Sequence, residues 1–116
     1  MAAPSAEAVA RFAALAMLDK QGLDVALLDL RGLSGFADFF LVGSARSTTH
    51  ADTVVEAVRV TLRAHGVRPR HAEGSAESGW LLLDYGDVVV HVFLEATRSF
   101  YALDRLWGDA PLLSIE

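Results

Sequence analysis

The stretch from Trp80 to Phe93, Trp-Leu-Leu-Leu-Asp-Tyr-Gly-Asp-Val-Val-Val-His-Val-Phe, constrains the fold more than any other part of the chain. Two apolar runs rich in leucine and valine flank Asp84-Tyr85-Gly86-Asp87, a pattern that predicts a β-hairpin. With Tyr85 and Gly86 at the tip of a two-residue turn, Asp84 would face Asp87, Leu83 would face Val88, and Leu82 would face Val89. Leu81 would then face Val90, and Trp80 would face His91. Side chains alternate along a strand, so the hairpin has two unlike faces. One carries Leu81, Leu83, Val88, Val90 and Val92 and is aliphatic, as a core face should be. The other carries Trp80, Leu82, Asp84, Asp87, Val89, His91 and Phe93 and requires a separate explanation.

The elements around the hairpin follow from periodicity. Val9, Phe12, Ala13, Ala16 and Met17 lie at helical spacing, with Ser5 as N-cap and Gly22 as stop. Leu23 to Leu30 is a nearly continuous apolar strand of the kind buried on both faces. Arg31 to Gly35 is a turn, and Ala37 to Val42 is a second strand closed by Gly43 and Ser44. This close strand–turn–strand order predicts an antiparallel pair. Thr49 to Asp52 fits a capping box for a second helix over roughly 49–65, with Ala51, Val54, Val55, Val58 and Leu62 as its apolar stripe and Gly66 as its stop. Val67 to Glu77 reads as a loop with a short strand near Arg68 to Ala72. Thr97 to Trp107 reads as a third helix with Phe100, Leu103, Leu106 and Trp107 on one side, ended by Gly108 and Pro111 and followed by a tail. The order predicts an α/β or α+β fold, a mixed β-sheet flanked by helices on at least one face. A single domain over residues 1–116 accommodates it.

Composition limits the function. Hydrophobic residues make up 53% of the chain, which excludes disorder over most of it. There is no cysteine, so thiolate zinc sites, disulfides and cysteine nucleophiles are excluded. No apolar run reaches the roughly 18 residues of a membrane span, and Glu7 and Arg11 argue against a secretory leader. The expectation is a soluble cytoplasmic protein that does not engage membranes. Net charge is −5 and Lys20 is the single lysine, which disfavours autonomous nucleic-acid binding and suits a basic partner. Arg59, Arg63, Arg68 and Arg70 cluster locally, as cations do at a solvated helix end.

The chemistry-bearing residues leave several readings open. Trp80 and His91 either pack under a helix with their N–H groups satisfied, or belong to a protein-binding patch with Leu82, Val89 and Phe93. Asp84, Asp87 and His91 would spread over about 13 Å of strand, too far for one metal, and the aspartates suit turn capping. A nucleotidyl transferase needs paired carboxylates on one strand face, yet two positions after Asp38 stands Phe40, and Asp29 is isolated among leucines. No glycine-rich phosphate loop occurs. Ser44, Ser47 and His50 are explained by helix capping. Arg98 and Tyr101 share a helix face and would extend the Trp80 patch if that helix flanks it.

Three segments resemble the ribosomal silencing factor, or Iojap-like, family. They are Ala37-Asp38-Phe39-Phe40-Leu41-Val42, Glu73-Gly74, and the whole of Trp80 to Phe93, followed by Arg98, Tyr101, Leu103 and Leu106-Trp107. The resemblance implies a nucleotidyltransferase-like fold without that superfamily's catalytic acids, hence no enzyme activity and no cofactor. It also implies binding to the large ribosomal subunit through its protein fourteen, which blocks joining of the small subunit and lowers translation when nutrients are scarce. Trp80, Leu82, Asp84 and His91 carry over by position as partner contacts. One departure is Thr49, which stands before His50 where the family usually has arginine; Arg46 lies three positions earlier. Two competing readings remain: a metal-dependent nucleotidyl transferase or hydrolase, and a scaffold that self-associates, as a homodimer, through the apolar patch.

Overall fold

Strand β2, Phe39–Ala45, is the axis of the fold, with all seven residues buried. The computed structural model describes residues 4–33, 35, 37–97, 111–113 and 115. Around β2 lie helix α1 (Ala6–Asp19), strand β1 (Leu23–Asp29), helix α2 (Thr48–Ala64), and strands β3 (His71–Ser75), β4 (Trp80–Asp84), β5 (Val88–Leu94) and β6 (Leu112–Leu113). They form a six-stranded mixed sheet in the order β3-β4-β5-β2-β1-β6. β2 and β5 are parallel, from Phe39 opposite Val88 to Ala45 opposite Leu94, and every other neighbouring pair is antiparallel. A parallel pair needs a crossover, and α2 supplies it. Among the described residues no helix is long and apolar enough to cross a membrane.

Both helices lie on one face of the sheet. There Val9, Ala13 and Met17 of α1 and Val54, Val58 and Leu62 of α2 pack against Phe39, Leu41, Leu83, Val90 and Val92. The two helices run antiparallel, and contacts at both ends of α2 tie it to α1. Phe12 stacks on His65 with ring centroids 3.9 Å apart. At the other end His50 Nε2 donates to the Lys20 carbonyl at 2.9 Å while its Nδ1 accepts from the Arg46 N–H at 3.0 Å. The cap of α2 is Ser47, whose Oγ accepts from the His50 N–H at 3.1 Å. The expected box at Thr49 and Asp52 is therefore two residues too late. Ser5 caps α1 as expected.

The hairpin is present but its register differs from the expected one. Asp84 faces Val89, Leu83 faces Val90, Leu82 faces His91, Leu81 faces Val92 and Trp80 faces Phe93. Tyr85 donates its N–H to the Val88 carbonyl at 2.8 Å, so Gly86 and Asp87 occupy the turn instead of Tyr85 and Gly86. The reason is conformational. Gly86 has φ +91°, which places the glycine at the first turn position, as in type II′ hairpins. Asp84 Oδ1 accepts from the Gly86 N–H at 2.7 Å and holds the turn. A shift of two preserves facing, so the division into two unlike faces stands.

Other expectations also change. β1 is enclosed only at Leu27 and Leu28, because its first half is bulged between Leu23 and Ala26. Gly43 does not end β2; it lies inside the strand under Met17, where an added Cβ would meet the sulfur at 2.7 Å. The short strand after α2 is His71–Ser75 rather than Arg68 to Ala72. The tail contains β6, where Leu112 and Leu113 pair with Leu28 and Leu27, and the Asp29 N–H bonds to the Pro111 carbonyl at 2.9 Å. Residues 95–97 are helical; the remainder of the expected third helix lies outside the described residues.

The second face of the sheet has its own core of Leu28, Leu30, Ala37, Phe40, Val42, Val89 and Phe93, with Trp80 and Leu82 packed at its margin. His91 lies within it, 3% exposed, and burial pushes its pKa from 6.5 down to about 4. Its ring is neutral in the folded chain at pH 7.

Two expected outcomes follow from this packing. Gly43→Val should lower the unfolding free energy by about 1–3 kcal/mol through overpacking against Met17, read as a lower urea midpoint at unchanged slope. The second concerns pH. Above about pH 6.5 His91 is neutral whether folded or unfolded, and as pH falls from 6.5 toward 4 the unfolded chain takes up a proton that the folded chain refuses. His91 therefore costs no stability above that window, and roughly 3 kcal/mol is lost across it. Denaturation of His91→Phe over the same range should show a correspondingly flatter slope; a slope equal to the parent's would rule out this role.

Candidate functional site: the outer face of β3, β4 and β5

On the face away from the helices, three cross-strand rows run from β3 through β4 to β5. They are His71–Asp84–Val89, Glu73–Leu82–His91 and Ser75–Trp80–Phe93. Burial grades across them. Val89, His91 and Phe93 on β5 are buried, Trp80, Leu82 and Asp84 on β4 are half-buried, and His71 and Glu73 on the edge strand are exposed. A core residue row thus opens gradually into a surface.

Trp80 is fixed at that boundary. It faces Phe93 with ring centroids 5.6 Å apart and planes 15° apart, and it meets His91 diagonally at 5.9 Å. Its indole Nε1 donates to His91 Nδ1 at 3.1 Å. The acceptor role of Nδ1 places the His91 proton on Nε2, which has no hydrogen-bond partner among the described residues. Phe40 meets the His91 ring edge-on at 4.7 Å. The aromatic ladder and the Nε1 hydrogen bond hold the Trp80 indole against β5.

Backbone constraints support the same position. Gly74, opposite Leu81, has φ +84°, and a Cβ there would collide with the Trp80 carbonyl. The turn from β3 to β4 is closed by Ser78, whose Oγ donates to the Ser75 carbonyl at 2.8 Å. Thr97 Oγ1 donates to the Gly79 carbonyl at 2.6 Å and ties this turn to the end of β5. Between these parts lies a small cavity of about 130 Å³ lined by Glu73, Gly74, Ser78, Trp80 and Leu82.

The structure thus brings four of the predicted contact residues, Trp80, Leu82, Asp84 and His91, onto one face. Their settings differ. Trp80 and Leu82 are half-buried at the margin, Asp84 has one oxygen engaged by its turn, and His91 lies beneath the surface as the acceptor for Trp80. Arg98 and Tyr101 lie outside the described residues. Glu73, Gly74 and Ser78 were not among the predicted contacts, although Glu73-Gly74 belongs to the family pattern. What sequence could not supply was their pairing with β4, which depends on a strand too polar to recognise by periodicity.

The other carboxylates have separate uses. Asp29 is paired with Arg31 at 2.7 Å, and that guanidinium holds its pKa below the usual value. Among the described residues no three histidine or acidic side chains are grouped to hold a metal. Ser47 and His50 build the α2 cap, while Ser44 is buried inside β2. Arg46 does lie beside His50 through its backbone N–H, and both line a surface depression with Gln21, Leu23 and Ser47.

Comparison with known proteins agrees with this architecture. The family model described as "Ribosomal silencing factor during starvation" matches residues 3–116. The ribosomal silencing factor RsfS of Bacillus subtilis is 37% identical over 110 residues, covering 95% of this chain and 93% of that protein. A crystal structure of a Chromobacterium violaceum protein superposes with a TM-score of 0.86 at 32% identity, covering 90% of this chain and 88% of that one. A more distant mouse relative, named mitochondrial assembly of ribosomal large subunit protein 1, is 29% identical over 87 residues, covering 72% of this chain and 38% of that protein. With a family model matched from residue 3 to the last residue, the chain belongs to the ribosomal silencing factor family.

Proposed function

We propose that this chain represses translation by docking on the large ribosomal subunit, at its protein fourteen, and thereby sterically blocking association with the small subunit when nutrients are limiting. The observation that carries this reading is the family match across residues 3–116. The relatives are named as silencing factors, a regulatory role rather than a catalytic one. The name of the mouse relative connects that protein with the large subunit, which supports the large subunit as the partner here.

The docking surface in this proposal is the outer face of β3 and β4. Trp80 and Leu82 supply apolar contact area, Asp84 a polar margin, and His91 holds the indole from below. Arg98 and Tyr101 stand in the proposal as further contacts by their place in the family pattern. A half-buried tryptophan whose ring is already immobilised loses little side-chain entropy on binding, which favours it as an anchor. The net charge of −5 suits a basic ribosomal protein, where opposite potentials speed encounter. No bond is made or broken; occupancy of the joining face is the whole mechanism.

Co-sedimentation with purified large and small subunits tests this directly. The parent chain should pellet with large subunits and not with small ones. Trp80→Ala should weaken that binding by about 2 kcal/mol or more, and Trp80→Phe, which keeps a ring but loses the bond to His91, should fall between them. A folded Trp80→Ala chain that binds as tightly as the parent would remove this face from the proposal.

A further inference from the structure

Acidic residues outnumber Lys and Arg fifteen to ten in this chain, yet four of the ten cations gather around the β4–β5 turn. Tyr85 and Gly86 are the reference points. Arg70 lies over Gly86, where an added Cβ would meet its Nη1 at 3.1 Å. Arg68 lines a surface cavity with Tyr85, Asp87 and Val88. Arg59 and Arg63, one turn apart on α2, are close enough to Tyr85 to oppose the rise in its phenol pKa that burial causes. Arg63, Arg68 and Arg70 are exposed and Arg59 is half-buried. Among the described residues none of the four forms an ion pair. The buried Tyr85 hydroxyl has no hydrogen-bond partner either. A helix end accounts for Arg63, in the last turn of α2, but not for Arg68 and Arg70 beyond it. Like charges gathered without a counterion repel one another, so the patch favours an anion supplied from outside.

The patch adjoins the docking surface. Arg70 donates its backbone N–H to the Asp84 carbonyl at 2.7 Å, and Asp84 belongs to an outer-face row. We infer that Arg59, Arg63, Arg68 and Arg70 contact the phosphodiester backbone of ribosomal RNA beside the docked protein. The inference deepens the docking reading above and rests on it. A ribosomal surface offers RNA phosphates and basic proteins. Basic proteins repel an arginine patch, so phosphate is the counterion it meets there. Guanidinium groups pair with phosphate oxygens through two parallel N–H bonds. Cations spread over a helix and a loop also suit a string of phosphates better than a single ion. Asp87, exposed on the same turn, and the acidic balance of the chain limit the attraction. Both agree with a contact that adds to docking rather than one that captures free RNA.

The test compares the parent with Arg63→Gln/Arg68→Gln/Arg70→Gln, in which only exposed side chains change and an unchanged melting temperature confirms the fold. Binding to intact large subunits should weaken about tenfold or more, and the slope of log affinity against log salt should become shallower by about two. Binding to purified large-subunit protein fourteen should be kept, because loss of positive charge does not weaken attraction to a basic protein. Hydroxyl-radical cleavage of the large-subunit RNA should show a stretch of backbone protected by the parent and left open by the variant, each at saturating concentration. Equal loss against protein fourteen alone would place the arginines on protein and overturn the inference. Unchanged subunit affinity, or no RNA protection specific to the parent, would overturn it as well. Failure of the parent chain to bind large subunits would instead defeat the docking reading itself.

Discussion

The parallel pairing of β2 with β5 carries the rest of the structure. Its seven-residue register, from Phe39–Val88 to Ala45–Leu94, joins two strands that are both buried through most of their length. A parallel pair cannot be closed by a tight turn, so the chain between them must leave the sheet and return. α2 makes that excursion on one face, and β3 and β4 complete it by adding two antiparallel strands beyond β5. The outer face of β4 is therefore a consequence of this pairing. It borders a buried strand on one side and an exposed edge on the other, which allows Trp80 to be both anchored and accessible.

Two cores divide the labour. The helix-side core joins α1 and α2 to the sheet through small and aliphatic residues, and it reaches close contact at Gly43 and Met17. The opposite core is smaller and more aromatic, with Phe40, Phe93 and the margin of Trp80 around a neutral His91. Burying an imidazole is unfavourable when it must ionise, and here the cost is limited because it stays neutral and accepts a hydrogen bond. That bond orients the indole. A leucine in place of His91 would fill similar volume but give Trp80 Nε1 no acceptor.

Much of this was legible in the residues, and the failures have physical causes. The unlike hairpin faces followed from alternation alone and survived a register error of two, since such a shift conserves facing. The register differs because Gly86, with positive φ, takes the first turn position and Tyr85 pairs with Val88. A packing glycine and a terminating glycine look alike in sequence, and at Gly43 it is the Met17 sulfur that distinguishes them. β3 and β6 have no periodicity of their own, so residue pattern neither bounds the first nor reveals the second. Their pairing with β4 and β1 is non-local. The same blindness hid Glu73, Gly74 and Ser78, whose relation to Trp80 exists only once β3 and β4 are aligned. Family membership was legible because the motifs are ordered along the chain, and the partner it suggests enters through that route rather than through chemistry visible in any single residue.

The central proposal is that this chain acts by occupying a surface of the large ribosomal subunit. Its most direct test is the formation of joined ribosomes from purified subunits, followed by sucrose-gradient sedimentation after the large subunits have been saturated with this protein. The account predicts that the joined-ribosome peak is lost in favour of free subunits in proportion to occupancy, without any nucleotide or metal requirement specific to the protein. An undiminished joined peak at full occupancy of the large subunit would contradict it.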